Sequence, residues 1–260
     1  MKQIETKIQK IVKNFLSIYK EIGIDFYIPI KSTINKLETL SHNNFNENHI
    51  LFGNKKVSSK IVNKEKQIEE LGYLFKNIEG CNLKKTSTNF VNFYGNINSK
   101  LLIIDSPPDI DEDKTGISFV SKKGELFEKM LNAIELKKDE VFIVKSIPWR
   151  PPGNRYPTND EVKICRPFIL NLIQLIRPKI IVCLGEVPTN QLLELDQSIL
   201  RVRGKWRLFK SETIKILDEL KYDIFVLPTF SITHLLERPD LKKYAWEDMK
   251  LLRDKIKETS

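Results

Sequence analysis

The sequence predicts an α/β fold of three layers, α/β/α, with a central, mainly parallel sheet of about four strands and a helical N-terminal extension. Three observations predict it. Four short apolar runs, LLIID (101–105), VFIVKSI (141–147), KIIVCLG (179–185) and DIFVLPT (223–229), have the length of buried strands. Helical patterns separate them, as parallel pairing requires. The loops after the runs concentrate Pro, Gly, Arg and Ser, where an open parallel sheet places its function.

In chain order, residues 1–22 read as an amphipathic helix, with Ile4, Ile8, Ile11, Phe15, Ile18 and Tyr19 on one face and Gly23 as a stop. Residues 31–40 read as a short helix, giving an extension over 1–40. Residues 41–66 are rich in Asn, Lys and Ser and read as a polar linker carrying solvated His42 and His49. The α/β domain is expected over 67–260. GELFEKMLNAIEL (124–136) is a helix between the first two strands. Thr158 and Glu161 have capping-box spacing ahead of a helix that runs to about Ile176, ended by Arg177-Pro178. A further helix is expected from about Pro188 to Leu195. The last helix carries Trp246, Met249, Leu252 and Ile256 on one face.

Composition narrows the class. The 260 residues are 41% hydrophobic and 30% charged, as in an ordinary globular chain. Three cysteines make no disulfide framework and suit a reducing compartment. No stretch approaches the ~18 apolar residues of a membrane span, and the N-terminus lacks a secretory apolar block, so a cytoplasmic location without membrane contact is expected. The net charge of +9 attracts polyanions in general. Of the 43 basic residues nine are Arg, and Arg150, Arg155, Arg201 and Arg203 sit in or beside Gly- and Pro-bearing loops.

Three strand-end loops carry candidate chemistry: IDSPPDIDEDKTGISFV (104–120), PWRPPGNRYPTND (148–160) and PTFSITHLLERPD (228–240). The second holds Arg150, Asn154 and Arg155 on a Pro-stiffened backbone between Trp149 and Tyr156, a combination suited to phosphate contact and base stacking.

From about Leu71 onward the chain carries CNLKKTSTN (81–89), DEDKTGISFV (111–120), KGELFEKML (123–131), RPPGNRYPTNDEVKICRPFI (150–169), IRPKIIVCLGE (176–186), LRVRGKW (200–206) and LPTF…LLERP (227–239). Their order and spacing give a resemblance to the iron–sulfur (family 4) uracil-DNA glycosylases. It implies hydrolysis of the N-glycosidic bond of a uracil flipped out of DNA. It also implies an acid-bearing turn after the first strand, a stacking Phe, an Asn ending the second strand, an HP turn after the fourth, and four cysteines around a 4Fe–4S cluster.

The sequence departs from that pattern at most of these places. Asp105 stands where the family has Gly, Ser106 where it has the acid, Lys145 at the base-reading Asn, and Ser231-Ile232 at the HP turn, with His234 expected to face elsewhere. Phe119 is kept. Cys81 and Cys165 remain of the cluster ligands, whereas Ile78 and Trp149 occupy the other two positions, so no cofactor is expected. Cys183 reads as a buried small hydrophobe. Lys145 offers only donors and cannot read both uracil O4 and N3–H.

Three functions follow as expectations. The first is a catalytically degenerate member that binds DNA through Arg150, Asn154, Arg155, Arg203 and Lys205. The second is an active glycosylase of altered specificity with a relocated acid, Asp105 or Asp109. The third is a protein-interaction module that engages a partner through the N-terminal helices.

Overall fold

A computed structural model describes residues 59–209 and 223–259. The chain divides into two compact units, Met1–Gly80 and Cys81–Ser260. The extension expected over 1–40 lies outside the described residues. In the first unit the described residues form one helix, α1 (Ser59–Lys76), which begins inside the stretch read as linker.

The second unit carries the sheet. Its helices are α2 (Leu83–Thr86), α3 (Ile110–Thr115), α4 (Ser121–Asn132), α5 (Asn159–Ile176), α6 (Glu186–Leu193), α7 (Ile199–Val202), α8 (Ile232–Glu237) and α9 (Lys242–Thr259). Its strands are β1 (Tyr94–Gly95), β2 (Leu101–Asp105), β3 (Phe142–Lys145), β4 (Ile180–Leu184), β5 (Arg207–Phe209) and β6 (Ile224–Thr229), in the order β1-β3-β2-β4-β6-β5. The inner four are the four predicted strands, all parallel. Two short antiparallel strands, β1 and β5, close the edges and were not expected.

Strand alternation sorts the side chains between two layers. Leu101, Ile103, Ile143, Ile180, Val182 and Leu227 pack with Phe127 and Leu131 of α4, Leu235 of α8, and Ala245, Met249 and Leu252 of α9. On the opposite face the Phe93 ring lies 5.7 Å from that of Phe142 and 5.8 Å from that of Phe168 in α5. The helices therefore flank the sheet on both faces.

The helix punctuation follows the sequence. Thr158 accepts from the Glu161 N–H and Glu161 accepts from the Thr158 N–H, starting α5, and Arg177 in the left-handed region ends it. Asp109 and Glu112 form a second capping box that starts α3. Asp113 accepts from the backbone of Thr88 and Asn89 and from the Thr88 hydroxyl, pinning the TSTN segment to α3.

Candidate functional site

The parallel register sets Asp105 of β2 directly opposite Lys145 of β3, at the carboxyl ends of their strands. Both lie two residues beyond core positions, Ile103 and Ile143, so both side chains enter the layer beneath α4. There they meet Glu112 of α3 and Lys123 of α4. Lys145 Nζ lies 2.6 Å from Asp105 Oδ2 and 2.6 Å from each Glu112 oxygen. Lys123 Nζ lies 2.9 Å from Asp105 Oδ2 and 3.0 Å from Glu112 Oε2. None of the four is more than 4% exposed. Two ammoniums and two carboxylates thus form a neutral buried quartet.

Glu112 also organises the loop. Its carboxylate accepts from the Phe119 N–H at 2.7 Å and the Asp109 N–H at 3.1 Å. Phe119 takes a positive φ of 55° and is 3% exposed. Its ring stacks on Phe127 with centroids 3.9 Å apart and planes 8° apart, while Lys123 and Lys145 each sit 5.3 Å from the centroid. Gly124 lets α4 lie against the Phe119 carbonyl oxygen, which any Cβ there would strike.

Electrostatics follow from burial and partners. Desolvation pushes the Glu112 carboxyl up, but Lys145, Lys123 and the hydrogen bonds outweigh it and hold its pKa down at about 2. Desolvation also opposes charge on Lys123, yet Asp105 and Glu112 carry its pKa above the ordinary lysine value. Complete burial, with Lys123 beside it, draws Lys145 below that value despite its two carboxylate partners.

A cleft of about 430 Å³ opens at the same end of the sheet, lined in part by Ser106, Asp109, Tyr156, Leu200, Ser231 and His234. Ser106 and Ser231 converge on it from either side of Gly185, whose φ of 111° and missing Cβ admit both. The Ser106 hydroxyl donates to the Leu184 carbonyl at 2.8 Å, and Ser231 Oγ accepts from the His234 N–H at 3.2 Å, capping α8.

Several expected site residues stand elsewhere than the sequence suggested. Asp105, a candidate relocated acid, is 0% exposed and held by two ammoniums, whereas Asp109, the other candidate, does line the cleft. Phe119 and Lys145 are absent from the cleft wall. His234 lines the cleft, with its ring stacked 5.7 Å from Phe230. Arg203, expected on a phosphate-binding rim, is committed to Asp248, which also accepts from the Thr229 hydroxyl at 2.6 Å. Arg155 forks onto Glu161 at 2.7 and 2.9 Å. Arg150 donates to Asn154 at 2.7 Å, and Lys205 to the Arg201 carbonyl at 3.2 Å. Sequence reasoning missed Glu112 and Lys123; the one available signal was the opposite charge of Asp105 and Lys145 at matching strand ends.

Residues 93–250 match the uracil DNA glycosylase superfamily. The chain is 35% identical to a type-4 uracil-DNA glycosylase of Sulfurisphaera tokodaii over 179 residues, 67% of this chain and 78% of that enzyme. It is 32% identical to the type-4 enzyme of Archaeoglobus fulgidus, over 65% of this chain and 83% of the relative. Against the Thermotoga maritima enzyme the identity is 30%, over 75% and 97%.

The chain belongs to the uracil-DNA glycosylase superfamily.

Its relatives are type-4 members, for which the sequence resemblance implied an iron–sulfur cluster. The residues present do not fit one. Cys81 and Cys165 are buried and unpaired, with their thiols within hydrogen-bonding reach. The hydrogen bond from Cys165 draws the Cys81 pKa down, while burial raises that of Cys165 well above the ordinary thiol value. Trp149, expected at a third ligand position, has its indole 3% exposed and edge-on to Phe90 at 5.5 Å. Ile78, expected at the fourth, has an aliphatic side chain that cannot ligate iron. Among the described residues no three His, Cys, Asp or Glu side chains are grouped to hold a metal ion.

Two outcomes follow from the quartet. Lys145→Met strands two carboxylates on one ammonium and is expected to cost about 3–5 kcal/mol in urea unfolding, with Lys145→Met/Asp105→Asn recovering more than half; a loss below about 1 kcal/mol for the single variant contradicts the arrangement. Because the folded Glu112 pKa of about 2 lies below its free value of 4.5, the fold favours the charged form. Its contribution is complete above about pH 4.5 and is lost as pH falls towards about 2. Wild type should therefore lose more stability than Glu112→Gln between about pH 6 and about pH 3, measured by denaturant unfolding at each pH.

Proposed function

We propose that this chain is a DNA-binding member of the superfamily that does not excise uracil. One observation carries the reading: Phe119, at the position of the family's stacking ring, is covered by Phe127 and two lysine ammoniums and is 3% exposed. A base cannot stack on it without displacing the quartet. Lys145, at the base-reading position, directs its donors to Asp105 and Glu112. Ser106 and Ser231 bring neutral hydroxyls where the family places a carboxylate and an imidazole. Losing a single transition-state donor costs on the order of 10²–10³ in rate, and here several elements change together. An iron–sulfur cluster has no part in this reading, and three unpaired cysteines accord with the cytoplasm.

DNA binding is supported by Asn154 and Arg155, which are exposed and line the cleft, by Arg150, which donates to Asn154, and by the exposed Arg201 and Lys205 on the segment that follows the cleft-lining Leu200. Such groups contact phosphate without reading sequence. A second reading, a glycosylase with a relocated acid, is favoured by Asp109 and His234 lining the cleft.

Uracil-containing single strands and duplexes should show no base release above the protein-free background, with a type-4 enzyme assayed alongside. Binding should weaken as salt rises, and Arg150→Ala/Lys205→Ala should flatten the log–log salt slope by about 0.9 for each phosphate that is no longer neutralised. Release at a rate near the type-4 enzyme's overturns the reading, and release of a different base establishes the second one.

A further inference from the structure

The outer face of α9 carries a row of cations that the DNA-binding reading does not use. At 3.6 residues per turn, Lys242, Lys243, Lys250, Arg253 and Lys257 fall within an arc of about 100°, with Trp246 near its centre. From Lys243 to Lys257 the row advances by three and four residues in turn and spans about 21 Å. No acidic side chain of the helix falls inside the arc. A surface helix ordinarily alternates its charges along a solvated face, whereas here the signs are sorted. Trp246 is 40% exposed in the middle of the row.

The helix is held firmly from behind. Ala245, Met249 and Leu252 are buried in the core, with Ile256 packed against it. Asp248 ties the first half of α9 to Arg203 and to Thr229 at the end of β6. At the far end Lys179, just ahead of β4, donates to the Thr259 carbonyl at 3.0 Å. The row therefore descends one flank of the sheet, from the carboxyl ends of the strands towards their amino ends. It is presented on a rigid element, so little ordering opposes docking there.

Charge and spacing decide what this face receives. A second copy of the chain, itself at +9, would bring the same row and meet it with like charges. Glu247, Asp254 and Glu258 border the arc on one side, the first two paired with Lys250 and Arg253 at 2.8 and 3.0 Å. Duplex DNA carries charge on every side, so seating it along the row would press phosphates on those carboxylates. A protein segment with its negative charge on one side avoids them, and exposed pairs such as Lys250–Glu247 exchange partners at little cost. Alternating steps of three and four residues are the seam of two paired helices. An exposed Trp within such a seam asks for an apolar side chain opposite it.

We propose that the outer face of α9 docks an acidic amphipathic helix of a partner protein, its carboxylates on the cation row and one apolar side chain on Trp246. The proposal is independent of the DNA-binding reading.

The test uses the full chain and a labelled synthetic helical peptide with glutamates at alternating three- and four-residue steps around one leucine. A scrambled peptide of the same composition is the control. By fluorescence anisotropy the patterned peptide should bind about tenfold more tightly than the scrambled one, and more weakly as salt rises. Unlabelled, it should shift tryptophan emission to shorter wavelength, and Trp246→Phe should remove that shift. Lys243→Glu/Lys257→Glu should weaken binding by about tenfold, the size of two exposed ion pairs lost. A peptide with two of its glutamates changed to lysine should recover it. Lys85→Glu/Lys163→Glu, on α2 and α5, alters net charge equally and should bind as wild type. Both double variants should melt with wild type, since the replaced side chains are exposed. Equal affinity for the two peptides, or an equal loss in the two double variants, means attraction by net charge alone and overturns the proposal. If no peptide binds and Lys243→Glu/Lys257→Glu instead weakens duplex DNA binding, the face is a nucleic-acid surface and the proposal is overturned.

Discussion

Two carboxylates and two ammoniums, buried under α4, hold the carboxyl end of the sheet together. Moving any one of them from water into that layer would cost several kcal/mol if it went alone. The cost is offset because each Nζ lies within 3.0 Å of both carboxylates. The backbone inherits its shape from this arrangement. Glu112 receives two ammoniums and two backbone N–H groups, so α3, the turn before it and the approach to Phe119 are folded around one side chain. Phe119 is then pressed onto Phe127. The positive φ at Phe119 and the missing Cβ at Gly124 are the local accommodations that allow it.

The site is therefore layered. Below lies a dry ionic core, occupying the place where the family resemblance puts a base. Above lies a cleft with flat proline and tyrosine walls, two serines and a histidine. A second latch sits to one side. Arg203 and Thr229 both bind Asp248, tying the RVRG turn and the end of β6 to α9. Gly204 makes room for it, since a Cβ there would meet Asp248 Oδ1 at 2.6 Å. Retention of the RVRGKW segment thus has a structural cause as well as any role at a surface: its second arginine is a tie within the fold.

What the sequence disclosed follows physical rules. The four inner strands were legible because a strand buried on both faces reads as an unbroken apolar run. The edge strands were not, because two or three residues at β1 and β5 carry no periodicity to detect. The Thr158–Glu161 cap was legible because it is local. Ser106, Ser231 and Lys145 were legible as departures from a family pattern. Glu112 and Lys123 were not, since an acidic run and a lysine pair normally read as solvated faces, and Lys and Glu are rarely fully buried unless paired. Their pairing depends on contacts across eleven and thirty-three positions. The tie of Arg203 to Asp248 was not legible for the same reason: its partner lies forty-five residues away. His234, expected to face elsewhere, lines the cleft, because it stands in the first turn of α8, whose N-cap Ser231 is itself part of the cleft wall.

The most direct measurement is a crystal structure of the full chain with a uracil-containing single strand. The account predicts that the Phe119–Phe127 stack and the Lys145–Asp105 and Lys145–Glu112 contacts persist and that no base lies between Phe119 and the lysine ammoniums. A uracil stacked on Phe119, with Lys145 swung out of its ion pairs, would contradict it.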